Sequence, residues 1–445
     1  MTSTKLFYLW NIGCQMNRAD AARLREELER RGYRATREPD EARLLILNTC
    51  VVRQNAEDKV IGRLNSLKPL KRDGQERALL VMGCFVGSAE EGQSGRGLAS
   101  LHQEYPFVDA FFPPSDIAGV LEYVERWDRE RGDGLRCGEP LTAPEVSEGV
   151  PISYGCDHHC TYCIVALRRG SQRSRPVADI VRDVQDLVAR GAKEIVLLGQ
   201  NVDAYGSDLP PDAAGRRPNL SAVLRAIHGI EGLWRIRFLT SHPRDMTQEI
   251  IDTVAALPKV CECWELPVQA GDDVVLRRMG RGYTVAHFRD LVQRIRQATP
   301  DCALNTDVIV GFPGETEEQF ERTLALVREL RFDMVHVAAY SPRPGTPAAR
   351  LEDDVPAAEK DRRRVLIEEV QTEIAAEINA RLLGRQVEVL VDGQQGGRWR
   401  GRTRTNKLVF FAAPGDWLGR LAHVRITWAG PWSMRGEPAG GDPED

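Results

Sequence analysis

The sequence predicts an α/β multidomain protein: an N-terminal doubly wound parallel sheet, a central partial (β/α)6 barrel and a C-terminal small antiparallel β-barrel. Three observations carry this expectation. Apolar runs alternate with helical patterns through the first 125 residues, six further strand–helix units follow from Val150, and short strands with turn signals close the chain. A length of 445 residues allows two or three cores. Hydrophobic residues at 42% and charged residues at 28% are those of an ordinary globular protein. The net charge of -5 excludes a global basic field, so nucleic-acid contact must come from a local patch. No apolar stretch reaches membrane-spanning length, and the start "MTSTKLFYLWNIGC" lacks the pattern of a signal peptide. A cytoplasmic location is expected, where thiols stay reduced. Ten cysteines there argue for metal or redox chemistry rather than disulfides.

In residues 1–125, "KLFYLWNIGC" is strand-like and Ala19–Arg31 carries an amphipathic helical pattern stopped by Gly32. "ARLLILNTC" is a second strand, followed by helical "VVRQNAEDKVIGRLNSL", and "RALLVMGC" is a third. Ligands of doubly wound sheets bind beyond the carboxyl ends of the strands. Cys14, Cys50 and Cys84 fall there, one per strand, so three thiols are expected at one rim. Buried packing cysteines are the alternative, which the repetition at equivalent positions disfavours. Gly87–Gly97 reads as a flexible loop and satisfies neither G-x-G-x-x-G nor a P-loop. The charged, then Pro/Gly/Ser-containing stretch Asp128–Gly149 reads as a linker, which is set at residues 126–141 between the domains, and Cys137 in it has no partner spacing.

Residues 142–374 make the central barrel, with strands expected at "VPISYG", "EIVLLGQN", "RIRFLTS", "CWELPVQ", "ALNTDVIVG" and "MVHVAAYS". Barrel active sites lie at the carboxyl ends of the strands. The string "GCDHHCTYC" sets Cys156, Cys160 and Cys163 in a C-x3-C-x2-C spacing at that mouth. Three thiolates fall one short of a structural zinc site, whereas a 4Fe–4S cluster on three cysteines leaves one iron open to a small molecule. Zinc completed by His158 or His159 is a weaker reading, because adjacent ligands in so short a span make poor tetrahedral geometry; otherwise both histidines are polar loop residues. Tyr162 is placed to pack against a bound nucleoside. Gly199 and Gln200 in "LLGQN" and Gly311 in "DVIVGFPGE" lie where backbone could approach a ligand. His242 in "TSHPRDM" reads either as substrate-facing or as polar lining. Cys261 and Cys263 share one strand face and read as packing residues, and Cys302 has no companion.

A long polar helix is expected at about Ala357–Leu383. The last domain, residues 375–438, carries "RQVEVLVDG", "KLVFFAA" and "AHVRITWAG", and 439–445 is a tail. Arg398, Arg400, Arg402, Arg404 and Lys407 surround Trp399, a mixture of cations and an aromatic that suits single-stranded RNA on an oligonucleotide-binding-like barrel. A solvated charged hairpin is the alternative. If about four of these cations meet phosphates, log K falls against log salt with a slope near -3.

With these residues in place, the chain resembles the radical S-adenosylmethionine (SAM) methylthiotransferases over nearly its whole length. The C-x3-C-x2-C signature in "GCDHHCTYC" is specific to radical-SAM enzymes, and its combination with Cys14, Cys50 and Cys84 points to this family. "NTCVVRQNAEDK" with Arg53, "LLGQNVDAYG", "TSHP", "LPVQAGDD", "TDVIVGFPGETEE", "YSPRPGTPA" and "GRTRTNKLVFF" resemble its tRNA enzymes that make 2-methylthio-N(6)-dimethylallyladenosine. Two stretches depart from the family pattern: Ala166 replaces a usual Pro, and "GCFVGSAEEGQSG" replaces a regular helix start after Cys84.

The resemblance implies a methylthiotransferase N-terminal domain, a radical-SAM core and a TRAM domain. It implies that Cys156, Cys160 and Cys163 hold the cluster that binds SAM and cleaves it to a 5′-deoxyadenosyl radical. Cys14, Cys50 and Cys84 would hold an auxiliary 4Fe–4S cluster that delivers sulfur, and a second SAM would supply the methyl group. Two such clusters amount to about 8 iron per chain. The implied partners are a tRNA anticodon loop, an electron donor such as a flavodoxin or ferredoxin, and a sulfur and cluster supply system; a monomer is expected. Siblings acting on threonylcarbamoyladenosine in tRNA or on a ribosomal-protein aspartate are alternatives. "NTCVVR" argues against both, and the basic run Arg398–Lys407 against the second. A non-catalytic cluster protein that binds RNA or carries electrons is a third reading, separated by its failure to cleave SAM.

Overall fold

The computed structural model describes residues 5–52, 54–87, 98–132 and 138–439. Arg53, most of the Gly87–Gly97 loop, Cys137 and the tail from 440 lie outside the described residues.

The N-terminal elements are β1 (Lys5–Asn11), α1 (Gln15–Arg30), β2 (Tyr33–Ala35), β3 (Leu44–Thr49), α2 (Gln54–Leu67), β4 (Ala78–Gly83), α3 (Leu98–Glu104), β5 (Ala110–Phe112) and α4 (Ile117–Glu130). The five strands are parallel in the order β2-β1-β3-β4-β5. β3 and β4 are buried along their whole length, so each alternates between two apolar faces. Leu44 and Ile46 pack with Leu24 and Leu28 of α1 and Val120 and Val124 of α4. Leu45 and Leu47 pack with Val60 and Leu64 of α2 and Leu101 of α3. The sheet is doubly wound, and its order reverses between β1 and β3, where a crevice opens at the carboxyl ends. The edge strands β2 and β5, three residues each, are too short to show a period in sequence. α4 runs to Glu130 and buries Trp127 and Asp128, so a linker starting at 126 is corrected to one starting beyond that helix.

The central elements are β6 (Ser147–Pro151), β7 (Ser153–Tyr154), α5 (Val165–Arg169), β8 (Arg173–Ser174), α6 (Val177–Ala189), β9 (Glu194–Leu198), α7 (Leu220–His228), β10 (Arg235–Phe238), α8 (Gln248–Ala256), β11 (Cys263–Glu265), α9 (Asp273–Arg278), α10 (Val285–Ala298), β12 (Ala303–Val310), α11 (Glu317–Leu330), β13 (Met334–Ala339) and α12 (Ala357–Ala380). β6, β9 and β10 form one parallel set and β11, β12 and β13 another. A parallel bridge between Ile236 and Val260 joins the two sets into an open six-strand arc. Polar side chains mark the helix starts: Asn219, Thr247, Thr284 and Thr316 each accept a hydrogen bond from the first turn of the helix that follows. The expected first strand "VPISYG" is two pieces: β6 ends at Pro151, and β7 turns aside to pair antiparallel with β8.

The last elements are β14 (Gln386–Gln395), β15 (Arg398–Thr403), β16 (Leu408–Phe411), β17 (Leu421–Ala429) and β18 (Met434–Pro438), closed in the order β14-β15-β16-β18-β17. Every pair is antiparallel except β16–β18. A domain start at 375 falls inside α12 and is corrected to a point beyond Ala380.

The barrel is bolted to the arc through polar groups. Arg235 donates to the carbonyl of Arg402 at 2.7 Å, and Arg237 to those of Thr403 and Arg404 at 2.7 and 2.6 Å. Arg237 also pairs with Glu194 at 2.8 Å, both side chains 6% exposed.

Candidate iron–sulfur cluster site

Cys14 immediately precedes α1, Cys50 follows β3 and Cys84 follows β4, so all three stand at the carboxyl ends flanking the crevice. Gly13, at φ +133°, lets the first loop approach the second: a Cβ there would lie 2.6 Å from that of Cys50. Asn17 ties the rim together. Its amide donates to Asn48 Oδ1 at 3.2 Å and the Thr49 carbonyl at 2.9 Å, while its Oδ1 accepts from the Cys14 thiol at 3.3 Å. Burial pushes the Cys50 thiol up to about 11, and the nearby sulfurs of Cys84 and Cys14 add to the shift.

The second trio lies on the loop between β7 and β8. The Cys156 amide donates to the Gly170 carbonyl at 3.1 Å, and Thr161 is held to Met279 at 2.9 Å through its amide and to Arg278 at 2.9 Å through its hydroxyl. Burial pushes Cys156 up to about 11 and Cys163 up to about 12, with Cys160 acting on both. Arg281, 5% exposed, reaches the Cys160 sulfur at 3.4 Å.

Three thiols brought to one place can bind a strongly positive group as thiolates, giving up their protons as it binds. A single zinc with 2.3 Å bonds would draw its sulfurs to about 3.8 Å apart. Among the described residues the only His/Cys/Asp/Glu group with three ligand atoms within 4.8 Å of one another is His158, His242 and Asp245. Neither cysteine trio is that compact. The donor sets fit a polynuclear iron–sulfur cluster better than one ion, and the zinc reading is corrected: His158 bonds Asp245 instead.

The trios belong to modules that interlock at this level. Ile164 and Leu167, just past Cys163, pack into the core of the N-terminal sheet. Arg169, at the end of α5, is 6% exposed and crosses to the other trio. It donates to Asn17 Oδ1 at 3.1 Å and Ser115 Oγ at 3.2 Å, and its charge acts on the Cys84 thiol.

Three family profiles match the chain: Uncharacterized protein family UPF0004 over residues 6–109, the Radical SAM superfamily over 150–327 and the TRAM domain over 380–439. The tRNA-2-methylthio-N(6)-dimethylallyladenosine synthase of Roseiflexus sp. (strain RS-1) is 47% identical, covering 98% of this chain and 90% of its own. The chain belongs to this synthase family. The namesake from Herpetosiphon aurantiacus is 44% identical across 98% of this chain and 97% of its own. A radical SAM methyltransferase, TsrM from Kitasatospora setae, solved with cobalamin and a 4Fe–4S cluster, shares the fold with a TM-score of 0.55 at 14% identity, covering 78% of this chain and 74% of its own.

Around the central trio, this synthase-family chain leaves polar atoms buried without partners: Ser153 Oγ, Asn201 Oδ1 and His242 Nε2. Buried polar atoms are rarely left so, and these suit a polar ligand such as SAM. The His158 and His242 rings stack at 4.1 Å, and Asn201 donates to Asp245 at 2.6 Å, which orients the group. Spacing pointed to His242 but not to Ser153, Asn201 or Asp245, because the contacts join separate strand ends. Tyr162 packs against the core with its hydroxyl 3.5 Å from Arg281. Gln200 is half-buried beside Asn201. Gly199 abuts Ser153, where a Cβ would stand 2.7 Å from its hydroxyl. Gly311 is corrected from ligand approach to a packing role: at φ +69° it leaves room for the Lys360 stem, 2.3 Å from where its Cβ would be.

The RNA-facing set is redrawn. Strand alternation turns Trp399 inward, 8% exposed in the barrel core, where it cannot stack on a base. Arg404 is held by Glu262 at 2.7 Å and Lys407 by Asp333 at 2.6 Å, so both serve the joint with the arc. Arg398, Arg400 and Arg402 face outward, Arg400 with Asp392 at 2.9 Å. Cys261 and Cys263 are buried, as packing residues should be, and Cys302 is half-buried.

Proposed function

We propose that this chain methylthiolates carbon 2 of N(6)-dimethylallyladenosine at position 37 of tRNA, next to the anticodon. The observation that carries the proposal is the pairing of two thiol trios, one per module, across an interface that Arg169 bridges. Cys156, Cys160 and Cys163 would hold the SAM-binding 4Fe–4S cluster, and Cys14, Cys50 and Cys84 the auxiliary one. When bound, the two clusters and SAM supply a 5′-deoxyadenosyl radical, a transferable sulfur and a methyl group.

The chain's own residues place and shield that chemistry. Ile164 and Leu167 seal one wall against water, and Arg281 presents a buried cation to the thiolate of Cys160. Ser153, Asn201 and His242 offer the unpaired polar atoms that would orient SAM, with Tyr162 and Gln200 beside them. An anticodon-loop adenosine has no paired partner, which lowers the cost of turning it into the site.

The RNA would lie on the outer face of the last barrel. Strand register aligns Arg400 with Phe410, Phe410 with Arg435, and Arg435 with Trp428. Cations and aromatics therefore alternate in one row across four adjacent strands. Trp428 is 46% exposed, with the Arg435 guanidinium 4.9 Å from its ring centre. Phosphates would meet the cations and bases the rings. Such a face disfavours a basic ribosomal protein as substrate. With Arg398, Arg400, Arg402 and Arg435 on phosphates, the salt slope of log K is expected near -3, and Arg435→Ala is expected to reduce it by about 0.7. An unchanged slope, measured by binding titration across salt, would remove Arg435 from the interface.

A flavodoxin or ferredoxin as electron donor, a sulfur and cluster supply system, a cytoplasmic setting and a monomeric state complete the proposal. No helix among the described residues is long and apolar enough to cross a membrane. The test is mass spectrometry of tRNA nucleosides from cells with and without the gene. Loss of the 2-methylthio group with the dimethylallyl group retained is the expected result; loss from threonylcarbamoyladenosine instead would reassign the chain to the sibling activity.

A further inference from the structure

We propose that Arg169 is a positioning residue for the auxiliary cluster: a guanidinium carried by the radical module that balances the charge of a cluster on Cys14, Cys50 and Cys84 and raises its reduction potential. This rests on the cluster assignment above and goes beyond it, because neither thiol spacing nor family membership assigns Arg169 a role.

The geometry is specific. Arg169 follows Cys163 by six positions on the short helix α5, yet its polar contacts lie in the other module. One nitrogen meets Asn17, whose Oδ1 also accepts from Cys14, and the other meets Ser115. Ser115 in turn donates to the buried Asp20 at 2.8 Å, which anchors the far side of the guanidinium. Arg343, also from the central module and buried, donates to Gln54 at 3.2 Å, whereas the contacts of Arg169 run through Asn17 to the Cys14 thiol.

A cluster held by three thiolates gains negative charge on reduction. A fixed cation beside it favours the reduced form and moves the potential upward through its charge. Since that cation rides on the segment that carries the other trio, seating the two modules correctly and tuning the auxiliary cluster become one event.

The experiment is a redox titration of the full-length, two-cluster protein followed by electron paramagnetic resonance, comparing the wild type with Arg169→Met and Arg169→Lys. The auxiliary midpoint is expected to move to more negative potential in the Met variant and to return toward wild type in the Lys variant, with the SAM-binding cluster's midpoint unmoved. A Met variant with full iron and an unshifted auxiliary midpoint overturns the inference. Should the Met variant fail to retain its auxiliary cluster, the Lys variant decides: full iron with a near-wild-type midpoint supports the charge role, and loss of iron despite the retained charge overturns it. Wild-type iron near 4 instead of about 8 per chain would sink the assignment beneath the inference, a failure distinct from an unshifted midpoint.

Discussion

A Cys50→Ala chain is expected to keep cleaving SAM while forming no methylthiolated tRNA, and its iron should fall from about 8 to about 4 per chain. Cys50 is 4% exposed at the end of β3, within the triad that the crevice gathers from three loops. Alanine leaves two thiols, too few to retain a cluster against exchange. The backbone should be undisturbed, since a buried thiol and a methyl differ by one atom. The other trio is carried on the loop between β7 and β8, braced by Met279 and Arg278, and none of those contacts passes through Cys50. The measurement pairs 5′-deoxyadenosine with modified nucleoside from the same reaction. Loss of both products from a well-folded variant would contradict the division of labour between the trios.

Arg237→Met is expected to destabilise the metal-free protein by about 3–5 kcal/mol. The guanidinium neutralises Glu194 in a site where both side chains are nearly inaccessible, and it satisfies two carbonyls of the adjoining barrel. Methionine matches the volume but leaves a buried carboxylate whose remaining side-chain bond is from the Ser147 hydroxyl at 2.7 Å. It also removes the side-chain donor from the Arg404 carbonyl and leaves that of Thr403 with the Asn406 amide alone. Denaturant unfolding of the two proteins measures the difference. A loss below about 1 kcal/mol would mean that the pair behaves like a solvated surface bridge.

Both thiol trios could be read from the amino-acid order because each reports something local. The eight-residue stretch from Cys156 to Cys163 shows its own spacing, and a cysteine at the end of an apolar run shows its place on a parallel sheet. The six central strands were legible for the same reason. Trp399 was misjudged although its neighbours held the answer: in β15 the period of two that sends Arg398, Arg400 and Arg402 outward must send it inward. The row from Arg400 to Trp428 was hidden more deeply, since it exists only once β16 pairs parallel with β18 and one strand registers against the next. Arg169 was hidden likewise. A cation ending an apolar stretch is a signal of sorts, but its partners Asn17, Ser115 and Cys84 are contributed by a module more than fifty positions earlier at the nearest.

The stretch from Thr403 to Lys407 sits at the joint between the terminal barrel and the arc. By gripping Arg237, Glu262 and Asp333 it turns the terminal barrel from a tethered appendage into a fixed arm. An RNA resting on that arm would be held at a set reach from the two cysteine trios.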